Sequence, residues 1–238
     1  MTNMQTKQWR DSILADVNLL VLLHDSEPKA DLLKSLQQFS FPHHLGLQFV
    51  DKTQHQCLDF MAEALAELKQ PVTQNQLDEL AADFAAIYLN HAIQASPCES
   101  VWLDEEGLMR QQPMFQVRDW YKQYGLQVEN WRLRPDDHLV CQLQFISYLL
   151  SQDDATENLR QIAQFLDEHL LLWIKDFASR VSQRAATAYY AGLALLTASY
   201  LEQLRDVLEA LLDMPRSVPE PKPEQAHNVN IQSCEANL

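Results

Sequence analysis

The chain has 238 residues, with 18 Lys plus Arg against 33 Asp plus Glu and a formal net charge of −15 at pH 7. That length buries a core without disulfide or metal staples, and that charge repels nucleic-acid phosphates and anionic lipid while suiting a cationic partner or plain solubility. Its four glycines, Gly46, Gly107, Gly125 and Gly192, lie too far apart to form a phosphate-cradling loop, and Cys57, Cys98, Cys141 and Cys234 have no zinc-type spacing.

Glycine poverty, abundant Leu and Ala and the absence of alternating β-branched runs predict an all-α protein, a single-chain helical bundle. Trp9, Ile13, Leu14, Val17, Leu20 and Val21 recur at helical spacing, giving an opening helix that stops within residues 24–28. A second helix is expected over 30–39, ahead of Pro42, and a third within 49–68, closed by Pro71. Thr73 reads as the N-cap of a helix running to about Asn90. Periodicity fails over 91–113, where Val101, Trp102 and Leu103 form an apolar island in what reads as an ordered, functional loop. A short helix over 115–124 ends at Gly125, and residues 126–135 connect two helical halves.

Asp136 or Asp137 is expected to cap the next helix, which runs to about Ser151. Asp153 or Thr156 opens another, in which Ile162, Phe165, Leu166, His169, Leu170, Trp173, Ile174 and Phe177 form one regular apolar stripe. A last long helix is expected over 183–213, followed by a Pro-rich polar tail. The organisation is thus an N-terminal helical half (1–125), a hinge (126–136), a C-terminal helical half (137–214) and a tail (215–238). No signal-peptide pattern occupies residues 1–10 and no stretch reaches the length of a membrane span, so a cytoplasmic location is expected.

Catalytic constellations are absent from the pattern. Asp51 and His55 lie four apart on one helix, and Glu224 and His227 have the spacing used in di-iron bundles, but neither pair is repeated as such a site requires. No G-x-S-x-G elbow occurs. His169, on the apolar face of its helix, reads as a buried neutral imidazole, and His43 and His44 as surface residues. One cluster stands out: Arg134-Pro135-Asp136-Asp137-His138 puts two carboxylates and an imidazole where the connector enters a helix, and both capping and a role at a crevice fit it.

Four stretches then carry a resemblance. Asp83-Phe84 with Ile87-Tyr88-Leu89, Pro97-Cys98-Glu99-Ser100-Val101-Trp102-Leu103, Pro135-Asp136-Asp137-His138-Leu139, and Phe165-Leu166-x-x-His169-Leu170-x-x-Trp173 with Phe177 and 189–194 follow in order and spacing. Together they resemble the cytoplasmic TorD/DmsD/NarJ-type chaperones that serve molybdenum enzymes. Arg134 departs from the pattern, standing where the family usually has Glu.

The resemblance implies a TorD-like all-α fold and no enzymatic activity. It implies binding of the twin-arginine signal peptide and apo-form of a molybdopterin-dependent oxidoreductase until its cofactor is inserted, with no cofactor of the chaperone's own. Some members of the family also bind guanine nucleotide weakly, which the glycine count here does not support. Two guanidinium groups beside an apolar segment call for carboxylates next to a hydrophobic trough. Asp136, Asp137 and His138 are the candidates for the polar edge of that trough, and Trp102, Leu103 and Phe115 for its wall. A monomer or a domain-exchanged homodimer is expected. The alternatives are a helical metal-dependent enzyme using Asp51 and His55, and an acidic scaffold without peptide preference.

Overall fold

Helix starts follow the caps written into the sequence. Asp51 and Thr73 each close a capping box, with Gln54 and Gln76 reaching back to the cap residue, and open α3 (Lys52–Ala66) and α4 (Gln74–Phe84). The computed structural model describes residues 3–152 and 155–216. Before these helices come α1 (Asn3–Asp25) and α2 (Ala30–Gln38). After them a π-helical turn over Ala85–Leu89 extends α4, followed by α5 (Ser100–Leu103), α6 (Gln112–Gln123), α7 (Leu139–Ser151), α8 (Ala155–Glu168), α9 (Ile174–Arg184) and α10 (Ala188–Leu212). No strand occurs among the described residues, so the chain is all-α.

Three expected boundaries move, each for a local reason. The residues expected as one helix from about 156 to 177 form two, because the backbone turns at His169 (φ −131°, ψ −87°), passes through a 3-10 turn at Leu170–Leu172 and resumes as α9. The apolar stripe survives the break, with Phe165, Leu166, Trp173 and Phe177 all fully buried. Residues 183–184 close α9 rather than opening the last helix. Pro113 does not punctuate the loop but lies in the first turn of α6, where its missing N–H costs nothing.

Buried residues form one hydrophobic core contributed by both halves of the chain. Within it α1 lies along α7, and α10 packs against both α3 and α9, so the helices before and after residues 126–136 interleave. Gly192 lets α10 and α3 approach closely: a Cβ there would lie 3.2 Å from the Met61 Cα. Buried polar side chains brace the contacts. Arg205 on α10 donates twice to Asp167 on α8 at 2.8 Å, with both side chains buried, and Tyr200 on α10 donates to Asp16 on α1 at 3.0 Å. The Pro-rich tail from residue 217, including Glu224, His227 and Cys234, lies outside the described residues.

Asp83 gives α10 its start. Its carboxylate accepts from the backbone N–H groups of Ala186 (3.0 Å) and Thr187 (2.7 Å) and from the Thr187 hydroxyl (2.6 Å), capping α10 from a different helix. Asp83→Ala should cost about 1–2 kcal/mol, because it removes the cap from the partly buried start of α10 and leaves two N–H donors without their acceptor. Asp83→Asn, which keeps one acceptor, should cost less. Urea denaturation checks the order, and an unchanged midpoint for Asp83→Ala would contradict the capping role.

Candidate functional site

Residues 97–100 and 135–139 are stitched together as two short antiparallel segments meeting at Cys98 and His138. Leu139 N–H donates to the Pro97 carbonyl (2.8 Å) and Glu99 N–H to the Asp137 carbonyl (3.1 Å). The Asp137 carboxylate accepts from the Ser100 N–H at 2.7 Å, where α5 begins. Beneath this seam the Glu99 carboxylate takes Gln142 Nε2 on one oxygen (2.7 Å) and His169 Nδ1 on the other (2.9 Å). Gln142 Nε2 also donates to the Asp137 carbonyl at 3.1 Å. Glu99, Asp137, Gln142 and His169 are all at most 3% exposed. Burial pushes the Glu99 and Asp137 carboxyl pKa values up, against the hydrogen bonds that hold the charged forms.

The seam forms one end of a cavity of about 760 Å³. One face of α7, His138, Cys141, Phe145 and Tyr148, lines it at helical spacing. Opposite stand His24 and Asp25 at the end of α1, and Phe84, Tyr88 and Leu89 at the end of α4. The connector closes it with Leu126, Val128, Glu129, Leu133 and Arg134. Its volume falls in the range of cavities that seat small ligands or several side chains.

Both buried imidazoles in this wall are neutral, and their hydrogen bonds fix their tautomers. Thr197 spends its hydroxyl hydrogen on the Leu193 carbonyl (2.8 Å), so its oxygen accepts from His24 Nε2–H (2.8 Å), leaving Nδ1 to accept from the Tyr88 hydroxyl (2.6 Å). His138 is the N-cap of α7, its Nδ1 accepting from Val140 N–H at 3.1 Å, so its hydrogen sits on Nε2. Burial lowers both pKa values to about 3. It also raises that of the Cys141 thiol to about 12, which keeps it protonated. The wall is thus largely apolar, and its buried imidazoles and thiol carry no charge.

The expected site residues separate into groups. His138, not Asp136 or Asp137, caps α7, and it alone of the three lines the cavity. Asp136 does not form an exposed lip: it is 2% exposed and bound by Arg118 through Nη2 (2.8 Å) and Nε (3.3 Å). Asp137 is fully buried in the seam. Both aspartates therefore position the hinge rather than meeting solvent.

Trp102 and Leu103 are partly buried on the far side of the seam. Trp102 donates Nε1–H to the Ser96 carbonyl (2.8 Å), stands edge-on to Phe177 and is covered by Arg180. Phe115 is 47% exposed on α6, and Arg118 stacks over both it and Trp131 of the connector. None of the three lines the cavity. The Asp51 and His55 pair holds no metal geometry either. Asp51 caps α3 and His55 Nδ1 binds its carbonyl, and among the described residues no group of three His, Cys, Asp or Glu side chains is placed to hold an ion.

Comparison with known proteins follows this geometry. Residues 56–179 match the family model described as nitrate reductase delta subunit, which spans both segments of the seam, α7 and the His169 turn. A Vibrio cholerae protein named chaperone protein TorD is 33% identical over 162 residues, covering 63% of this chain and 71% of that one. A protein of the same name from Shewanella pealeana is 30% identical over 157 residues (63% and 69%). The chain belongs to the TorD/DmsD/NarJ-type chaperone family. It is accordingly a chaperone of molybdoenzyme maturation and not an enzyme, and no described helix is long and apolar enough to cross a membrane.

Sequence reasoning missed His24, Asp25, Glu129 and Leu133 as members of the cavity. His24 left a signal: it follows Val17 and Leu20 by seven and four residues, on the apolar face of α1. Neutral burial of this imidazole gives a pH dependence. Its folded pKa of about 3 lies below the unfolded value of 6.5, so its contribution to stability is complete above pH 6.5 and is lost as pH falls from there toward 3. Between pH 6.5 and 5 the wild type should therefore lose stability faster than His24→Gln, by roughly 1 kcal/mol per pH unit. Urea titrations at several pH values check this, and parallel losses would contradict it.

Proposed function

We propose that this chaperone holds, in the cavity beside the hinge, the twin-arginine leader of a molybdopterin-dependent oxidoreductase, and retains the apo-form until its cofactor is inserted. The observation that carries the reading is an uncharged, largely apolar cavity with carboxylates only at its mouth. A leader of adjacent arginines followed by an apolar stretch matches that division. Its apolar part removes surface from water at roughly 25 cal/mol per Å² against Leu126, Val128, Leu133, Phe145 and Tyr148. Its guanidinium groups stay at the wetter rim, near Asp25 and Glu129.

In this reading the hinge signature divides its labour. His138 faces the leader: its Nε2 has no hydrogen-bond partner within the described structure and offers an N–H to a main-chain carbonyl. Asp136 and Asp137 keep that ring in place, and Trp102 and Leu103 pack the loop carrying Cys98, another cavity residue. Phe115 supports Arg118 and so the connector. The net charge of −15 speeds encounter with a cationic segment and makes it salt-dependent. The reading implies a cytoplasmic location, where leader and apoenzyme are made, and no cofactor of the chaperone's own.

A fluorescent peptide carrying two arginines and an apolar stretch should bind the full chain, and binding should weaken as salt rises from 50 to about 500 mM. Replacing both arginines by glutamine should weaken it at least tenfold. Leu133→Ser changes a side chain already 83% exposed, so it spares the fold, and by removing apolar contact without adding charge it should weaken binding several-fold. Equal affinity for the arginine and glutamine peptides would instead favour an acidic scaffold without leader preference.

A further inference from the structure

Arg134, the residue that departs from the family pattern, does not project into solvent. Its Nη1 donates to Asp25 Oδ1 at 2.5 Å, tying the connector to the last residue of α1 across 109 positions of sequence. Both side chains line the cavity and both remain partly accessible, at 37% and 40%. The formally charged Asp, Glu, Lys and Arg residues of the lining are Asp25, Glu129 and Arg134. His24 and His138 add no charge, being held neutral by burial. Two carboxylates therefore face an occupant expected to bring two guanidinium groups, and one of them already holds a guanidinium supplied by the chain itself. Beside the pair, His138 is 6% exposed, and its Nε2–H is unpartnered and turned to the same cavity.

We propose that Arg134 is an internal stand-in for a leader arginine, occupying Asp25 in the empty chaperone and yielding it when an incoming guanidinium arrives. The inference rests on the reading above, that the cavity receives a leader bearing adjacent arginines, and adds which carboxylate accepts one of them and what sets the threshold. Exchange of one guanidinium for another at the same carboxylate changes little in enthalpy, so the leader gains less at Asp25 than it would from a vacant acceptor. The contact also discriminates. A neutral apolar peptide that displaced Arg134 would leave Asp25 unpaired at the mouth of an apolar cavity, whereas a cationic one restores the pairing. Arg134, once released, is accessible enough to be hydrated.

The test measures binding of the Arg-Arg peptide and its Gln-Gln counterpart to wild type, Arg134→Ala, Arg134→Lys, Asp25→Asn and the double variant Asp25→Asn/Arg134→Ala. Arg134→Ala should bind the Arg-Arg peptide about two- to fivefold tighter than wild type, in keeping with a partly exposed ion pair worth up to about 1 kcal/mol. Arg134→Lys, which keeps the charge, should fall between them. In the Asp25→Asn background the Arg134→Ala gain should vanish, which separates exchange at Asp25 from a general change of charge.

Equal or weaker binding by Arg134→Ala, or a gain that persists without the Asp25 carboxylate, overturns the inference while leaving the leader-binding reading intact. Failure of both wild type and Arg134→Ala to bind the Arg-Arg peptide overturns the two together. Since neither side chain is deeply buried, the variants should keep wild-type helicity and melting temperature, and these are measured alongside.

Discussion

The Asp137 carboxylate on the Ser100 N–H, 2.7 Å long and fully buried, is the contact on which the site depends. It joins a loop that has little regular structure to the point where the connector leads into α7. Around it, Glu99 draws Gln142 and His169 into the same network, so three separate stretches of chain are held in one place. The cost of burying two carboxyl groups is visible in their raised pKa values, and their hydrogen bonds offset it only in this arrangement. Undoing any one partner leaves buried polar groups without water or protein to bind. The seam therefore behaves as a single unit, and it fixes the place of His138, the residue after Asp137.

Much of the helical layout was legible because it is local. Thr73 as an N-cap and the 3- and 4-residue spacing of apolar side chains act within one or two turns, whereas the equally local Asp51 capping box was masked by its pairing with His55, and Pro113 reads equally as the end of a loop or the first turn of a helix. What was not legible is long-range. Nothing near Asp83 announces that its partners are residues 186 and 187, and nothing near Asp136 announces Arg118. A carboxylate before a helix reads as a cap whether it caps its own helix, a distant one, or pairs with an arginine. The break at His169 was hidden for a similar reason: the apolar stripe continues through it, and periodicity reports which side chains are buried, not whether the backbone between them stays helical.

The signature stretches divide their work: Phe84, Tyr88, Leu89, Cys98 and His138 line the cavity, and Asp83, Glu99, Asp136, Asp137 and His169 build and brace the wall behind them, while Asp25, Glu129, Leu133 and Arg134 at the mouth lie outside those stretches. A receptor for a short flexible segment gains from this division, since a rigid wall lowers the ordering cost of binding and a few exposed residues suffice to choose the occupant. Neutral His24 and His138 fit the same logic, supplying hydrogen bonds in the wall without adding charge that would repel a cation.

Hydrogen exchange of the full chain, with and without a twin-arginine leader peptide, tests most directly that the cavity is where the leader sits. The account predicts slowed exchange in residues 84–91, 126–134 and the first turns of α7, with 100–106 and 112–118 unchanged. Slowed exchange confined to the surface of Trp102, Leu103 and Phe115, with the connector unaffected, would contradict it.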